Sequence, residues 1–214
     1  MVFLTVSAAW RLMASGLARG NNGRMRFACD RLLPGEDPVD AAERVLTEVA
    51  GVRTAVHRPV LIGAFARESS GDDPMVVLSF VAFGRIENSP DPEWSDFCLL
   101  DGSHADRFEF PEVLNLAVGR IRELVWTSDI AGRVAANKYG LFTLRNLRDV
   151  FEAVMGLQLD PANFRRRAEA IVGLLDDQPE DQHLHPVGSS YRDRPRGRGR
   201  KPTVYRIGQF AVGT

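Results

Sequence analysis

The sequence predicts an α+β protein: a mixed body of strands and helices, followed by a smaller basic unit of two helices and a hairpin. Three observations carry this. Strand-like and helix-like periodicities alternate through the first 126 residues. Two short helical patterns then follow, separated only by GLQLD. Behind them an arginine-rich segment leads into the strand-like PTVYRIGQF.

MVFLTVSAAW reads as the first strand, and GNNG at 20–23 punctuates it as a turn. From Pro38 to Ala50, Ala42, Val45, Leu46 and Val49 recur at helical spacing, with Asp37 as N-cap, Pro38 at N1 and Gly51 where a C-cap glycine belongs. Strands are predicted over 58–67 and 75–85, split by the turn signal SSGDDP, and ENSPDPEW is a polar loop. A helix over 111–126 gathers Val113, Leu114, Ala117, Val118, Ile121 and Leu124 on one side. TSDIAGRVAANKYG is short and broken by glycine, which places a domain boundary near 138, between domains 1–138 and 139–214. Thr143 then N-caps a helix over 144–155 with Leu144, Leu147, Val150, Phe151 and Val154 inward, and Gly156 ends it. Asp160-Pro161 opens the next helix, whose buried stripe is Phe164, Ala168, Ile171 and Leu175. Two helices joined by so short a turn, with a basic hairpin behind them, form the pattern of a winged helix-turn-helix.

Composition excludes whole classes. With 214 residues, 44% hydrophobic and 26% charged, the chain is neither disordered, collagen-like nor a coiled-coil rod. Two cysteines, Cys29 and Cys98, cannot build a disulfide framework and fit a reducing compartment. Neither has a neighbour in sequence that would activate a thiolate. No apolar run approaches the ~20 residues needed to span a bilayer. Arg11 interrupts the opening before a signal peptide is complete, so a soluble cytoplasmic protein without membrane partners is expected. The formal net charge of −1 hides an asymmetry. Residues 141–214 hold twelve of the 27 Lys and Arg against nine of the 28 Asp and Glu, and within 192–206 seven cations face Asp193 alone. The C-terminal part therefore suits a polyanion.

Asp160-Pro-Ala-Asn-Phe-Arg-Arg-Arg carries the sharpest functional signal. With Phe164 inward, Asn163, Arg165 and Arg166 fall on outer or flanking positions near a helix N-terminus. Asn pairs bidentately with adenine, Arg with guanine or phosphate, and the helix start itself favours phosphate. Thr143 and Arg145, at the start of the preceding helix, are expected to contact phosphate. Arg194, Arg196, Arg198 and Arg200, interleaved with Pro and Gly and followed by Lys201, form a wing suited to the DNA backbone or a narrow minor groove. The strand residues Val204, Tyr205, Ile207 and Phe210 return the chain to the core and hold that loop at both ends. His183 and His185 lack a third ligand at helpful spacing, so no metal is expected there. Trp94, Phe97, Trp126 and Tyr139 read as core or interface. No Ser-His-Asp, P-loop or dinucleotide fingerprint occurs.

Residues 30–52 follow the register of the Nudix box, G-x5-E-x7-R-E-U-x-E-E-x-G-U with U apolar. Helical glutamates of that box share one face and hold Mg²⁺ on a diphosphate. Glu36 and Arg44 are eight apart, and Leu46, Glu48, Gly51 and Val52 fall in place. Asp30 stands where the first Gly belongs, and Val45 and Val49 replace helical glutamates. Of the box, Glu36, Arg44 and Glu48 remain, and Glu48 is the last member of the carboxylate cluster. A lone carboxylate among valines binds Mg²⁺ poorly, so no catalytic residue, metal or cofactor is expected.

The degenerate box, LFTLRNLRDVFEAVMGLQLDPANFRRR and the closing GRGRKPTVYRI together resemble the Nudix-related transcriptional regulators of NAD metabolism, the NrtR-like proteins. The likeness is most specific at Phe142-Thr143-Leu144, Asp160, Asn163-Phe164-Arg165-Arg166, and Lys201-Pro202 through Tyr205-Arg206. It implies a Nudix-like α/β/α sandwich followed by a winged helix-turn-helix. It also implies a dimeric repressor on a palindromic double-stranded operator, with a sensor for ADP-ribose, a related nucleotide or a sugar. The approach ARGNNGRMRFACDRLL departs from the family's glycine-rich segment, as does the region before the 111–126 helix. Two readings compete with a ligand-responsive regulator: a divergent Nudix hydrolase acting on a nucleoside-diphosphate-linked substrate, and a DNA-binding dimer with no effector.

Overall fold

The computed structural model describes residues 1–7, 9–16, 23–49, 57–68, 74–85, 97–100, 105–137, 139–175, 184–187 and 204–207. Side chains are described there except at 49, 67–68, 74, 97–98, 105, 169–175, 184–187, 204 and 206–207. The chain divides into two compact units, Met1–Leu124 and Val125–Thr214.

The first unit is built on a five-stranded mixed sheet. Its strands are β1 (Val2–Val6), β2 (Leu12–Ser15), β3 (Val60–Glu68), β4 (Pro74–Arg85) and β5 (Phe97–Leu99), in the order β3-β4-β1-β2-β5. β1 runs parallel to β4, with Val2 opposite Val81 and Val6 opposite Arg85, while the other described pairings are antiparallel. All five residues of β1 are buried, as a central strand covered on both faces requires, and this is why VFLTV reads as an unbroken apolar run. The strand is shorter than the predicted MVFLTVSAAW. It stops at Val6, and the chain returns as β2, a strand that the sequence reading does not separate.

Two helices accompany the sheet. α1 (Pro38–Arg44) starts as predicted: the Asp37 carboxylate accepts from the Val39 N–H at 2.8 Å, with Pro38 in the first turn. Regular α-geometry ends at Arg44, and Val45–Val49 continue as a wider π-helical turn. α2 (Pro111–Thr127) buries Val113, Leu114, Ala117, Val118 and Ile121, the predicted stripe, while Leu124 is half-buried. Phe27 and Phe108 stack with centroids 5.0 Å apart, beside a bridge between Met25 and Phe108.

The second unit contains α3 (Ile130–Ala135), β6 (Leu141–Thr143), α4 (Leu144–Met155), α5 (Pro161–Leu175), β7 (Leu184–Val187) and β8 (Val204–Ile207). The stretch read as broken by glycine is in fact α3, and Gly132 is one of its buried residues. Local propensity weighs a mid-helix glycine against a helix, and here the helix forms around it. The unit also begins at Val125, so α3 lies within it, ahead of the boundary placed near 138. β6, β8 and β7 form a three-stranded antiparallel sheet in that order. Among the described residues, no helix is long and apolar enough to cross a membrane.

Candidate nucleic-acid interface

The two-helix core of the second unit is fixed by caps and aromatic rings. Thr143 Oγ1 accepts from the Asn146 N–H at 3.1 Å, and Asn146 Oδ1 accepts from the Thr143 N–H at 3.1 Å. The same Asn146 oxygen also takes the Thr143 hydroxyl proton, at 2.6 Å. This is a capping box with Asn in place of the usual Glu or Gln. Thr143, expected to touch phosphate, thus has its hydroxyl engaged in the cap, whereas Arg145 two residues on is exposed. α4 buries Leu147, Val150, Phe151 and Val154, with Leu144 half-buried, and ends at Gly156 in the left-handed region at φ 71°. The turn after it is tied back by Glu152, whose Oε1 accepts from the Leu159 N–H at 2.9 Å.

α5 then begins on Asp160, whose carboxylate accepts from the Asn163 N–H at 2.8 Å. Phe164 and Ala168 are buried, 4% and 2% exposed, while Asn163, Arg165, Arg166 and Arg167 are exposed. Ile171 and Leu175 complete the predicted stripe in sequence, but their side chains lie outside the described residues. Trp126, Phe151 and Phe164 form a chain of edge-to-face contacts, with centroids 4.4 and 5.3 Å apart. The three arginines are therefore not equivalent. Arg167 lays its guanidinium over the Trp126 ring at 4.3 Å, so it belongs to the packing. Arg166 Nη2 donates to Asn163 Oδ1. The oxygen that a bidentate adenine contact needs is already held by Arg166, so these two side chains act as one unit on the helix surface.

The wing's frame is present. β7 and β8 pair with Val187 opposite Val204 and Leu184 opposite Ile207, so the intervening basic segment is held at both ends. β8 is tied to β6 by register and by Phe142 stacking on Tyr205, centroids 6.0 Å apart. Arg194, Arg196, Arg198, Arg200 and Lys201 lie outside the described residues, as do His183, Trp94 and Phe210. His185 occupies β7 opposite Arg206, and no group of three metal-ligating side chains occurs among the described residues. Trp126 is half-buried and packs against Phe151. Tyr139 is 57% exposed and not part of the core, because the turn that precedes β6 carries it outward. Cys29 is exposed, and Cys98 lies in β5.

The box residues of the first unit form an ionic knot. Arg44 donates through Nε and Nη2 to the two Glu36 carboxylate oxygens at 2.8 and 3.0 Å, through Nη1 to Asp30 at 2.5 Å, and to the Arg31 carbonyl at 3.0 Å. Glu36 also accepts from the Leu33 N–H at 2.9 Å. The Arg44 hydrogen bonds hold both the Glu36 and Asp30 carboxyls below the usual range, and the same bonds raise the Arg44 guanidinium. Asp30, at the glycine position of the box, is thus a second anchor for Arg44. Sequence spacing did not reveal this. Val45 and Leu46 are buried and Glu48 is exposed, while the side chain of Val49 lies outside the described residues. Asp40 and Glu43, on α1, are both paired with Arg58, at 2.5 and 2.7 Å.

Residues 140–207 match the model of the NrtR DNA-binding winged helix domain. No curated protein matches the chain. Among solved structures, Shewanella oneidensis NrtR complexed with a 27mer DNA is similar over 96% of this chain and 90% of that one, with TM-score 0.67 and 18% identity. Shewanella oneidensis NrtR in a second structure gives TM-score 0.59 and 16% identity over 96% of this chain and 93% of that one. A MutT/nudix family protein from Enterococcus faecalis gives TM-score 0.61 and 16% identity over 97% and 87%. At such identities the structures speak for the fold: a Nudix-like α+β body followed by a winged helix. The chain therefore carries a DNA-binding winged helix domain of the NrtR type at residues 140–207, behind a body of Nudix-like fold.

Proposed function

We propose that the protein is a transcriptional repressor that binds a palindromic duplex operator as a homodimer and senses a nucleotide, ADP-ribose or a relative of it, through its Nudix-like part. Residues 1–138 act as sensor and dimerisation domain, and residues 139–214 as the DNA-binding domain, in the cytoplasm. The observation that carries the reading is the outer row of α5. Asn163, Arg165 and Arg166 are exposed on a helix whose Phe164 and Ala168 are buried, directly behind a short capped turn. Arg145, the start of α4, and Arg194, Arg196, Arg198, Arg200 and Lys201 supply phosphate contacts around it.

Two copies related by a two-fold axis read half-sites about one or two helical turns apart, ~10–20 bp. The β3–β4 hairpin supports such pairing. Ala64 faces Leu78 and Ala66 faces Val76, all four exposed and uncharged, on the edge strand β3 and its neighbour β4. Sensing is favoured over hydrolysis because Glu36 is engaged by Arg44 and Val45 is buried, which leaves Glu48 alone. A ligand alters operator affinity only if it prefers one spacing of the two reading helices.

Selection of bound genomic fragments, repeated with ADP-ribose, NAD and simple sugars, tests this. A palindromic consensus whose occupancy falls with one of these is the expected result. No enrichment overturns the DNA reading, and enrichment indifferent to every ligand overturns the sensor. Mg²⁺-dependent turnover of ADP-ribose that Glu48→Gln abolishes replaces the sensor by a hydrolase.

A further inference from the structure

Two residues meet at the carboxyl end of the parallel pair β1–β4, where Val6 and Arg85 are register partners. The Arg85 guanidinium carbon lies 4.6 Å from the centroid of the Trp10 ring. Trp10 sits in the turn joining β1 to β2, with its N–H donating to the Ser7 carbonyl at 2.9 Å and the Ser7 N–H to the Arg11 carbonyl at 3.0 Å. Its φ of 57° is left-handed, and Trp10 is the only non-glycine residue in that region among the described residues. A glycine or asparagine adopts this conformation with less strain, so the turn has no need of tryptophan. What the tryptophan adds is a ring against a guanidinium.

The guanidinium is incompletely satisfied. Arg85 Nε is buried and has no hydrogen-bond partner among the described residues. A buried donor on a charged group calls for an acceptor, and the guanidinium fork fits a bidentate oxyanion. Open sheets take ligands in the crevice outside the carboxyl ends of parallel strands, which is where this pair stands. Trp10 is only partly buried, so some of its indole remains available beside the guanidinium.

We propose that Trp10 and Arg85 form a binding site for the phosphate end of a nucleotide. Arg85 takes the phosphate oxygens through Nε and its neighbouring amino group, and Trp10 holds the guanidinium flat while its indole lies along the sugar or base. The inference rests on the nucleotide-sensing reading and locates its ligand.

Calorimetric titration of the full chain with ADP-ribose, AMP and ribose 5-phosphate tests it, on wild type, Arg85→Lys, Arg85→Ala and Trp10→Phe. Melting without ligand verifies that each variant is folded. Arg85→Ala is expected to weaken the phosphate ligand that binds wild type by at least ~10-fold, and Arg85→Lys nearly as much because it keeps the charge and loses the fork. Trp10→Phe is expected to lose less. ADP-ribose binding that is equal in wild type and both Arg85 variants overturns the site and leaves the sensor reading standing. Arg85-dependent binding of AMP or ribose 5-phosphate, with ADP-ribose inert, keeps the site and overturns ADP-ribose as effector. Absence of binding by all three overturns the proposal.

Discussion

Removing the Thr143 hydroxyl separates its two candidate roles. In the structure Oγ1 accepts from the Asn146 N–H at 3.1 Å and donates to Asn146 Oδ1 at 2.6 Å, at a partly buried helix start. Thr143→Ala leaves that N–H without its intrahelical substitute, which costs about 1 kcal/mol within a usual range of roughly 0.5–2. Thr143→Ser keeps the oxygen and is expected to stay close to wild type. For a unit of this size about 1 kcal/mol lowers the melting temperature by roughly 4–8 °C. The assay is thermal and denaturant unfolding of the full chain followed by tryptophan fluorescence, in which Trp126, packed on Phe151, reports on the second unit. Fluorescence anisotropy on operator DNA over a range of salt supplies the second readout. Because the hydroxyl is uncharged, Thr143→Ala leaves the salt slope unchanged, whereas Arg145→Ala lowers it by about 0.9. A Thr143→Ala protein that unfolds with wild type while losing operator affinity as strongly as Arg145→Ala refutes the capping argument.

Arg166→Ala and Asn163→Ala are expected to be strongly non-additive in operator affinity, because Arg166 is held by Asn163; additive losses in a double-mutant cycle mean that the two read DNA independently. Arg196→Ala and Arg198→Ala are each expected to lower the log–log salt slope by about 0.9, and an unchanged slope rejects the wing's backbone role. Phe164→Ala, at a site 4% exposed, is expected to destabilise the second unit by about 3–5 kcal/mol, measured by denaturant unfolding, and to abolish operator binding with it. Asp30 and Glu36 have lowered carboxyl pKa values, so their contribution to stability is present above the unfolded-state pKa, about 4, and is lost as pH falls through the folded-state values. Melting temperature followed below about pH 4 is expected to fall less steeply in Arg44→Ala than in wild type, and parallel profiles remove the knot from the acid response.

The fold was legible where local chemistry and tertiary demand agree. Asp37-Pro38 and Asp160-Pro161 announce helix starts because side-chain oxygen and ring geometry both favour them, and both carboxylates cap as expected. The α4 stripe follows because a helix packed on one side must repeat its apolar residues at 3.6. The β1–β2 turn was missed because its left-handed residue is Trp10, a type that gives no turn signal. α3 does not show in the sequence because Gly132 weighs against a helix locally, whereas burial of Ile130, Ala131, Val134 and Ala135 holds the helix in place. In α5, exposure of Asn163, Arg165 and Arg166 follows from periodicity. That Arg166 binds Asn163 and Arg167 binds Trp126 does not, since side-chain pairing depends on rotamers and on a ring forty-one residues earlier in the chain.

The box residues that persist are those that fold the loop. Arg44 ties Glu36, Asp30 and the Arg31 carbonyl into one anchored segment, and Leu46 is buried. Those replaced, Val45 and Val49, stand where a metal cage would place carboxylates, and Val45 has become part of the core. Under the sensor reading proposed above, a chain that need not hold Mg²⁺ but must present a rigid surface to a ligand has reason to keep the first set and lose the second. Burying a valine stabilises the helix, whereas a glutamate there has to be repaid by a cation. The substitution at residue 30 points the same way. Glycine at that position supplies backbone freedom, while Asp30 supplies a second acceptor for Arg44 and so exchanges adaptability for a fixed loop. Restoring Glu at Val45 alone is therefore expected to destabilise the first unit without conferring Mg²⁺-dependent turnover, because a buried carboxylate lacking its partners neither binds the ion nor packs.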